Sequence, residues 1–94
     1  MSHYVYIVRC VDDSLYTGYA NDVEKRLREH NGEINHKAAA RYTRGRRPVS
    51  LVYTEALSTR SAALKRECAI KALSRKEKLR LVKLFGHNVS NKVS

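Results

Sequence analysis

Hydrophobic residues near the start of the chain follow the two-residue period of β-strands. The segment His3–Cys10, HYVYIVRC, carries β-branched and aromatic residues on both alternating faces, which predicts a strand at the centre of a sheet. A turn rich in Asp and Ser follows. Leu15–Tyr19 then returns as the second strand of a hairpin. Gly18 interrupts this strand, which indicates a bulge or a close approach of the backbone to a neighbour.

Helical spacing replaces this alternation after the hairpin. Asn21 or Asp22 is expected to cap a helix that ends near His30, with its apolar positions facing inward. A polar, basic segment follows, in which Lys37–Tyr42 is predicted to form a helical turn. Val49–Ala56 then has the composition of a third strand.

Two further helices are predicted in the second half of the chain. Ser58 is expected to cap a helix over Thr59–Leu73. The next helix is expected over Arg75–Phe85, with Gly86 ending it. Residues 86–94 are predicted to form a flexible tail. The predicted class is therefore α+β, in the order β-β-α-β-α-α, with three helices packed on a three-stranded antiparallel-type sheet in a single domain over residues 1–85.

Charge is the strongest global signal in the composition. The 94 residues contain 19 Lys and Arg against 9 Asp and Glu, a formal net charge of +10. Such a chain attracts polyanions, although a basic, solvated surface has the same composition. Net charge does not distinguish DNA, RNA, the ribosome or anionic lipid. No apolar stretch is long enough to span a bilayer and no signal-peptide pattern is present, so a cytoplasmic protein is expected.

Individual polar residues are ambiguous on spacing alone. Tyr4 and Tyr6 share one face of their strand, whereas the side taken by Tyr16 depends on the hairpin register. Arg26 and His30 lie one helical turn apart, and each has an ordinary role as a solvated or helix-terminal residue.

Glu67 borders the apolar stripe of its predicted helix. A carboxylate there is costly unless it is paired with a cation. A structural salt bridge and a metal-binding or catalytic role both remain open on periodicity.

The segment RYTRGRRP at residues 41–48 combines arginines with a tyrosine and a glycine. It fits an ordinary solvated loop. It also fits a loop that grips phosphates, because the guanidinium group matches phosphate oxygens. The candidate nucleic-acid-binding residues are Arg41, Tyr42, Arg44, Arg46 and Arg47.

Spaced motifs in this chain resemble the GIY-YIG nuclease superfamily. VYI at residues 5–7 and YTG at residues 16–18 are similar to its two name-giving motifs. Arg26, His30 and Glu67 then fall where members have a helix arginine, a histidine and a metal-binding glutamate. The resemblance covers roughly residues 2–84 and is greatest to the small stand-alone bacterial branch.

The resemblance implies a metal-dependent endonuclease. Glu67 would hold a single Mg²⁺ or Mn²⁺ ion, and Arg26 would stabilise negative charge in the transition state. Tyr6 would be the general base, with a phenol pKa lowered by the nearby cation. Tyr16 would position the water or the phosphate, and His30 would relay a proton or contact the phosphate.

Two alternatives accompany this interpretation. The first is a nucleic-acid-binding module on the same fold without catalysis. The second is a small basic protein-interaction domain whose helices dock an acidic partner. DNA is favoured over RNA as the nucleic-acid partner, and a monomer is favoured over a dimer. No membrane association is expected. A protein partner could supply targeting.

Overall fold

The computed structural model describes residues 2–34 and 41–93, with side chains through residue 86. Its elements in chain order are β1 His3–Arg9, β2 Leu15–Ala20, α1 Val23–His30, α2 Arg41–Arg44, β3 Ser50–Leu57, α3 Arg60–Lys71 and α4 Arg75–Val93. The predicted α+β class is confirmed, and the element order agrees once the one-turn α2 is added. The helical turn expected over residues 37–42 overlaps α2 in part, and its residues 37–40 lie outside the described ranges. No helix in the described part of the chain has the length and apolarity needed to cross a membrane.

The sheet has the strand order β2-β1-β3, with β1 antiparallel to both neighbours. The prediction that β1 is central is thus confirmed. In the hairpin register Tyr6 pairs with Gly18 and Val8 pairs with Tyr16. Because paired residues of antiparallel strands project to the same side, Tyr6 and Tyr16 share one face of the sheet.

Hydrophobic clusters cover both faces of the sheet. On the first face α1 packs on the strands, and the buried residues of this cluster are Tyr6, Val8, Cys10, Ala20 and Val49. On the second face α3 and α4 pack on the strands, and the buried residues are Val5, Ile7, Tyr53, Ala63 and Ile70. A half-buried sheet strand normally alternates apolar with polar residues. β1 is apolar on both sides because helices cover both sides of it.

Gly18 lets the ring of Tyr6 lie across β2. A Cβ atom at this position would come within 2.6 Å of Tyr6 Cζ. The close approach expected at Gly18 is therefore real, but the approaching group is a side chain rather than a backbone. The register irregularity lies elsewhere, between Ile7 and Val8 in the pairing of β1 with β3. The glycine in YTG is thus a direct requirement for placing Tyr6.

Helix ends differ from the sequence prediction at two points. Thr59, not Ser58, caps α3, since Thr59 Oγ1 accepts a hydrogen bond from the Ala62 amide at 3.1 Å. α4 continues through Gly86 to Val93, so the prediction that Gly86 ends this helix is wrong. A glycine inside an exposed helix costs only about 1 kcal/mol relative to alanine and does not by itself stop a helix. The flexibility of residues 86–94 stays a prediction.

Candidate active site

A hydrogen-bonded chain of three buried side chains links β1, α1 and α2. Tyr6 Oη lies 2.7 Å from His30 Nε2, and His30 Nδ1 lies 2.8 Å from Thr43 Oγ1. The exposed fractions of Tyr6, His30 and Thr43 are 1%, 0% and 0%. Asp22 starts α1 by accepting a hydrogen bond from the Lys25 amide at 3.0 Å, and the eight-residue helix places His30 in its last turn, against the sheet.

His30 is held in its neutral form. Burial lowers its pKa to about 4, and the positive charges of Arg26 and Arg47 act in the same direction against the opposing effect of Glu29. At neutral pH the ring therefore presents one N–H donor and one acceptor nitrogen.

Tyr6 is held as a protonated phenol. Burial raises its pKa to about 12, although Arg26 lowers it through a hydrogen bond to the hydroxyl and through its charge. The expectation of a phenol pKa lowered by a bound cation stays a prediction. Without a bound cation the pKa is raised, because the cost of burying a phenolate exceeds the help from Arg26. Since Tyr6 is also screened from solvent, the geometry makes it a partner of Arg26 and His30 rather than a group that meets water.

Arg26 projects from α1 as a permanently charged group beside Tyr6. Its Nη1 donates to Glu29 Oε1 at 3.1 Å, and about a quarter of the side chain is exposed, at 26%. Burial works against the charge, but the hydrogen bonds with Glu29 and Tyr6 outweigh it and raise the pKa of Arg26. Arg26 also lines an open depression between α1 and the end of β2, so a positive charge lies at the edge of this depression.

Tyr16 is the more accessible of the two predicted site tyrosines. It is only partly buried, and its ring meets the edge of the His30 ring at a centroid distance of 5.4 Å. Tyr42 stacks on it at 5.9 Å, and the Arg46 guanidinium lies 4.1 Å from the centre of the Tyr42 ring. Tyr16 thus contacts both His30 and the arginine-rich segment.

The arginines of residues 41–47 fall into two groups. Arg46 Nε donates to Asp12 Oδ2 at 3.1 Å, and Arg47 Nε donates to the His30 carbonyl at 2.5 Å. These two residues anchor the segment to the β1–β2 turn and to the end of α1. Arg41 and Arg44 are exposed, as is Tyr42 at 39%. Contact with nucleic acid stays a prediction for all five, and the exposed three are the ones placed to make it.

Glu67 forms an ion pair within α3. Its Oε2 lies 2.9 Å from Lys71 Nζ, and 17% of the Glu67 side chain is exposed. The structural salt bridge, one of the two roles left open for Glu67, is therefore present. α3 covers the second face of the sheet, yet Glu67 still contributes to raising the pKa of Tyr6, and Tyr16 contributes to raising that of Lys71. The ion pair thus lies near enough to act on both tyrosines electrostatically.

Glu67 offers a single carboxylate, which limits the kind of metal ion that this site can hold. Within residues 2–34 and 41–86, no group of three or more His, Cys, Asp or Glu side chains is placed to hold a metal. This arrangement does not suit Zn²⁺, which takes three or four protein ligands. It suits Mg²⁺, which keeps several waters and accepts one carboxylate, and the ammonium group on Glu67 shows that this oxygen already attracts a cation.

Two residues of the site were not singled out from the sequence. Lys71 could have been found, because it lies four residues after Glu67 on one helix face. Thr43 gave no signal, since a threonine between arginines in a polar segment has no period or motif to mark it as buried.

The family match agrees with this geometry. The family described as the GIY-YIG catalytic domain matches residues 2–80, which include every residue of the β1–β2–α1 site and Glu67. The chain belongs to the GIY-YIG family. Its GIY-YIG relatives include a UPF0213 protein of Staphylococcus saprophyticus, 56% identical over 80 residues that cover 85% of this chain and 93% of the relative. A UPF0213 protein of Haloquadratum walsbyi is 60% identical over 80 residues, covering 84% of each chain.

Solved structures support the same assignment for this GIY-YIG domain. The solution structure of a UPF0213 protein from Bacillus halodurans is 46% identical with a TM-score of 0.56, and the match covers 89% of this chain and 85% of that one. A solution structure from E. faecalis is 43% identical with a TM-score of 0.60, covering 92% of this chain and 88% of that one. The predicted resemblance to small stand-alone members of the superfamily is confirmed.

Proposed function

We propose that this GIY-YIG domain hydrolyses phosphodiester bonds in nucleic acid as a metal-dependent endonuclease. The observation that carries the proposal is Arg26, a charged guanidinium fixed by Tyr6 and Glu29 at the edge of an open depression. We also propose DNA rather than RNA as the substrate, a monomer as the active form in the cytoplasm, and targeting by a partner protein.

Arg26 supplies the electrostatic part of the chemistry. Phosphodiester hydrolysis develops extra negative charge on the phosphoryl oxygens, and a preorganised guanidinium stabilises that charge without reorganising. Because Glu29 and Tyr6 already hold Arg26, little side-chain entropy is lost when a phosphate binds.

Tyr16 and Glu67 supply the remaining contacts. Tyr16, which is partly exposed beside His30, orients the attacking water or the scissile phosphate through its hydroxyl. Glu67 is the residue that would hold Mg²⁺ or Mn²⁺, which when bound supplies further charge relief on the phosphoryl group. His30 and Tyr6 are buried, so they hold Arg26 in place instead of touching the substrate.

Substituting Glu67 with Gln tests this proposal. The change keeps the size of the side chain and removes the charge that attracts a cation. We expect cleavage of labelled DNA in Mg²⁺ or Mn²⁺ to fall about 100-fold or more, with nucleic-acid binding retained. Single-stranded, duplex and branched DNA and RNA are assayed in parallel, with EDTA as the metal-free control.

Glu33→Gln is the matched control, because Glu33 is an exposed carboxylate just beyond α1. It should cleave as the wild type does. Equal metal-dependent cleavage by the Glu67→Gln protein and the wild type would contradict the assigned role of Glu67.

A second candidate is nucleic-acid binding without catalysis. The ion pair between Glu67 and Lys71 favours it, since this carboxylate is already neutralised in the absence of a metal. The result that selects this function is binding by both proteins with cleavage by neither.

The exposed arginines give a test that both functions share. Replacing Arg41 and Arg44 together with Ala removes two cations placed to contact phosphates. We expect weaker binding and a salt dependence of log affinity that is shallower by about 2, since each phosphate contact contributes about 0.9 to the slope. Fluorescence anisotropy between 50 and 300 mM salt measures both.

The charge-matched control for this test is the double substitution of Arg60 and Arg80 with Ala on α3 and α4. An equal change of slope in the two double variants would show that binding depends on net charge and not on residues 41–47.

A further inference from the structure

Thr43 is the buried end of the chain that leads through His30 and Tyr6 to Arg26. We propose that Thr43 is a positioning residue that accepts a hydrogen bond from His30 Nδ1–H and thereby leaves His30 Nε2 free to accept the proton of Tyr6. This inference rests on the proposed function in one respect: Arg26 is the group that faces the phosphate.

Two proton arrangements are compatible with the distances of 2.7 and 2.8 Å. In the first, the Tyr6 hydroxyl donates to His30 Nε2, and Nδ1–H donates to Thr43. In the second, the Thr43 hydroxyl donates to Nδ1, and Nε2–H donates to the Tyr6 oxygen. A neutral imidazole allows one or the other, and the position of the heavy atoms alone does not separate them.

The surroundings of the Tyr6 hydroxyl decide between them. Arg26 acts on this hydroxyl as a neighbouring cation, which favours the arrangement in which the Tyr6 proton points away from it. In the second arrangement, the Tyr6 proton would need an acceptor other than His30. His30 Nε2 is the one acceptor that the described residues place within hydrogen-bond distance of the Tyr6 hydroxyl, and the hydroxyl is buried. Since an unsatisfied buried donor is costly, the first arrangement is favoured.

Two side chains of residues 42–47 hold His30, one at its ring and one at its main chain. Arg47 donates to the main-chain carbonyl of His30, while Thr43 contacts its ring. Tyr42, next to Thr43 in the chain, stacks on Tyr16. Residues 42–47 therefore set both the position and the protonation pattern of one histidine.

In this arrangement the Tyr6 hydroxyl always donates its proton to His30. With its proton committed to His30, the Tyr6 oxygen is a pure acceptor toward Arg26 and holds the guanidinium beside the depression. When the acceptor at Thr43 is lost, the buried Nδ1–H is left without a partner. The His30 ring then loses the contact that fixes its position, the hydrogen bond from Tyr6 weakens, and Arg26 loses its fixed position.

Long-range ¹H–¹⁵N correlation spectra of ¹⁵N-histidine-labelled protein test the inference. The His30 signals are assigned by their loss in a His30→Gln variant. In the wild type we expect the Nδ1-protonated tautomer. In Thr43→Val, which keeps the shape of the side chain, we expect the His30 Nδ1 signal to shift as its hydrogen bond to Thr43 is lost, and a fall in kcat for cleavage of about tenfold or more with KM nearly unchanged. Thr43→Ser restores the hydroxyl and should restore both.

Thr17→Val is the matched control. Thr17 is also buried, on the opposite face of the sheet, and its hydroxyl has no hydrogen-bond partner among the described residues. This variant should leave the tautomer of His30 and the kcat unchanged, and thermal unfolding of all variants verifies folding.

An Nε2-protonated His30 in the wild type, or a His30 Nδ1 signal that is the same in the wild type and in Thr43→Val, would overturn the assignment. A signal that shifts as expected with no fall in kcat would overturn the link to Arg26. Should the wild type fail to cleave any substrate, the proposed function fails while the tautomer result still decides the role of Thr43.

Discussion

Gly18→Ala is expected to lower the free energy of unfolding by about 3 kcal/mol. The added Cβ would come within 2.6 Å of Tyr6 Cζ and still closer to its hydroxyl. A flexible, exposed side chain could swing aside, but the Tyr6 ring is buried and hydrogen-bonded to His30. Relief of the clash therefore costs overpacking together with the loss of the Tyr6–His30 hydrogen bond.

Urea denaturation of the wild type and the variant measures this loss. Gly86→Ala is an informative control, because Gly86 lies inside α4 and a Cβ there meets no atom within 4 Å. It should stabilise the protein by up to about 1 kcal/mol, the helix-propensity difference between the two residues. Equal small effects at Gly18 and Gly86 would show that Tyr6 does not occupy the space above Gly18.

Acid is expected to destabilise the protein through His30. The folded-state pKa of His30 is about 4, whereas an imidazole exposed to water in the unfolded chain has a pKa of 6.5. The unfolded chain therefore binds a proton more readily than the folded one. The stability contributed by the neutral ring is complete above pH 6.5, begins to fall below it, and is lost by about pH 4. The difference corresponds to about 3 kcal/mol.

The free energy of unfolding measured by urea denaturation between pH 4.5 and 7.5 follows this linkage. A His30→Gln variant is less stable at neutral pH, but its stability should depend much less on pH above 4.5. Parallel pH profiles for the two proteins would contradict a buried, neutral His30. Carboxylates with lowered pKa values, such as Asp12 and Glu77, lose their contribution at lower pH, outside this window.

The sequence pattern predicted most of the fold because each element carries a local signal. The two-sided apolar composition of β1 predicts a central strand, and Asp22 supplies the cap that starts α1. The end of α4 was missed, because a lone glycine weakens a helix without stopping it. The hairpin register was left open by the turn, and it decided whether Tyr16 joined the face of Tyr6.

The candidate site could be predicted only as far as residue types and spacing go. The motifs brought Tyr6, Arg26 and His30 together correctly, since each lies on an element whose inward face was readable. The burial that raises the pKa of Tyr6 in the absence of a bound cation could not be predicted, because the depth at which a ring is buried depends on packing from several elements. The place of Thr43 depends on how residues 41–47 fold back on α1, which has no local signal.

Because Gly18 and Tyr6 are in close contact, a substitution at one of these two positions constrains which residue the other can hold. Any side chain introduced at position 18 is tolerated only if the residue at position 6 becomes smaller, because the space above β2 holds one of them. A smaller residue at position 6 removes the hydroxyl that joins His30 to Arg26. A descendant of this chain that loses the glycine can therefore recover its stability by a second change, but that change disconnects the arginine from the histidine. For a compensated descendant of this kind, intact folding would be no guide to whether the site still works.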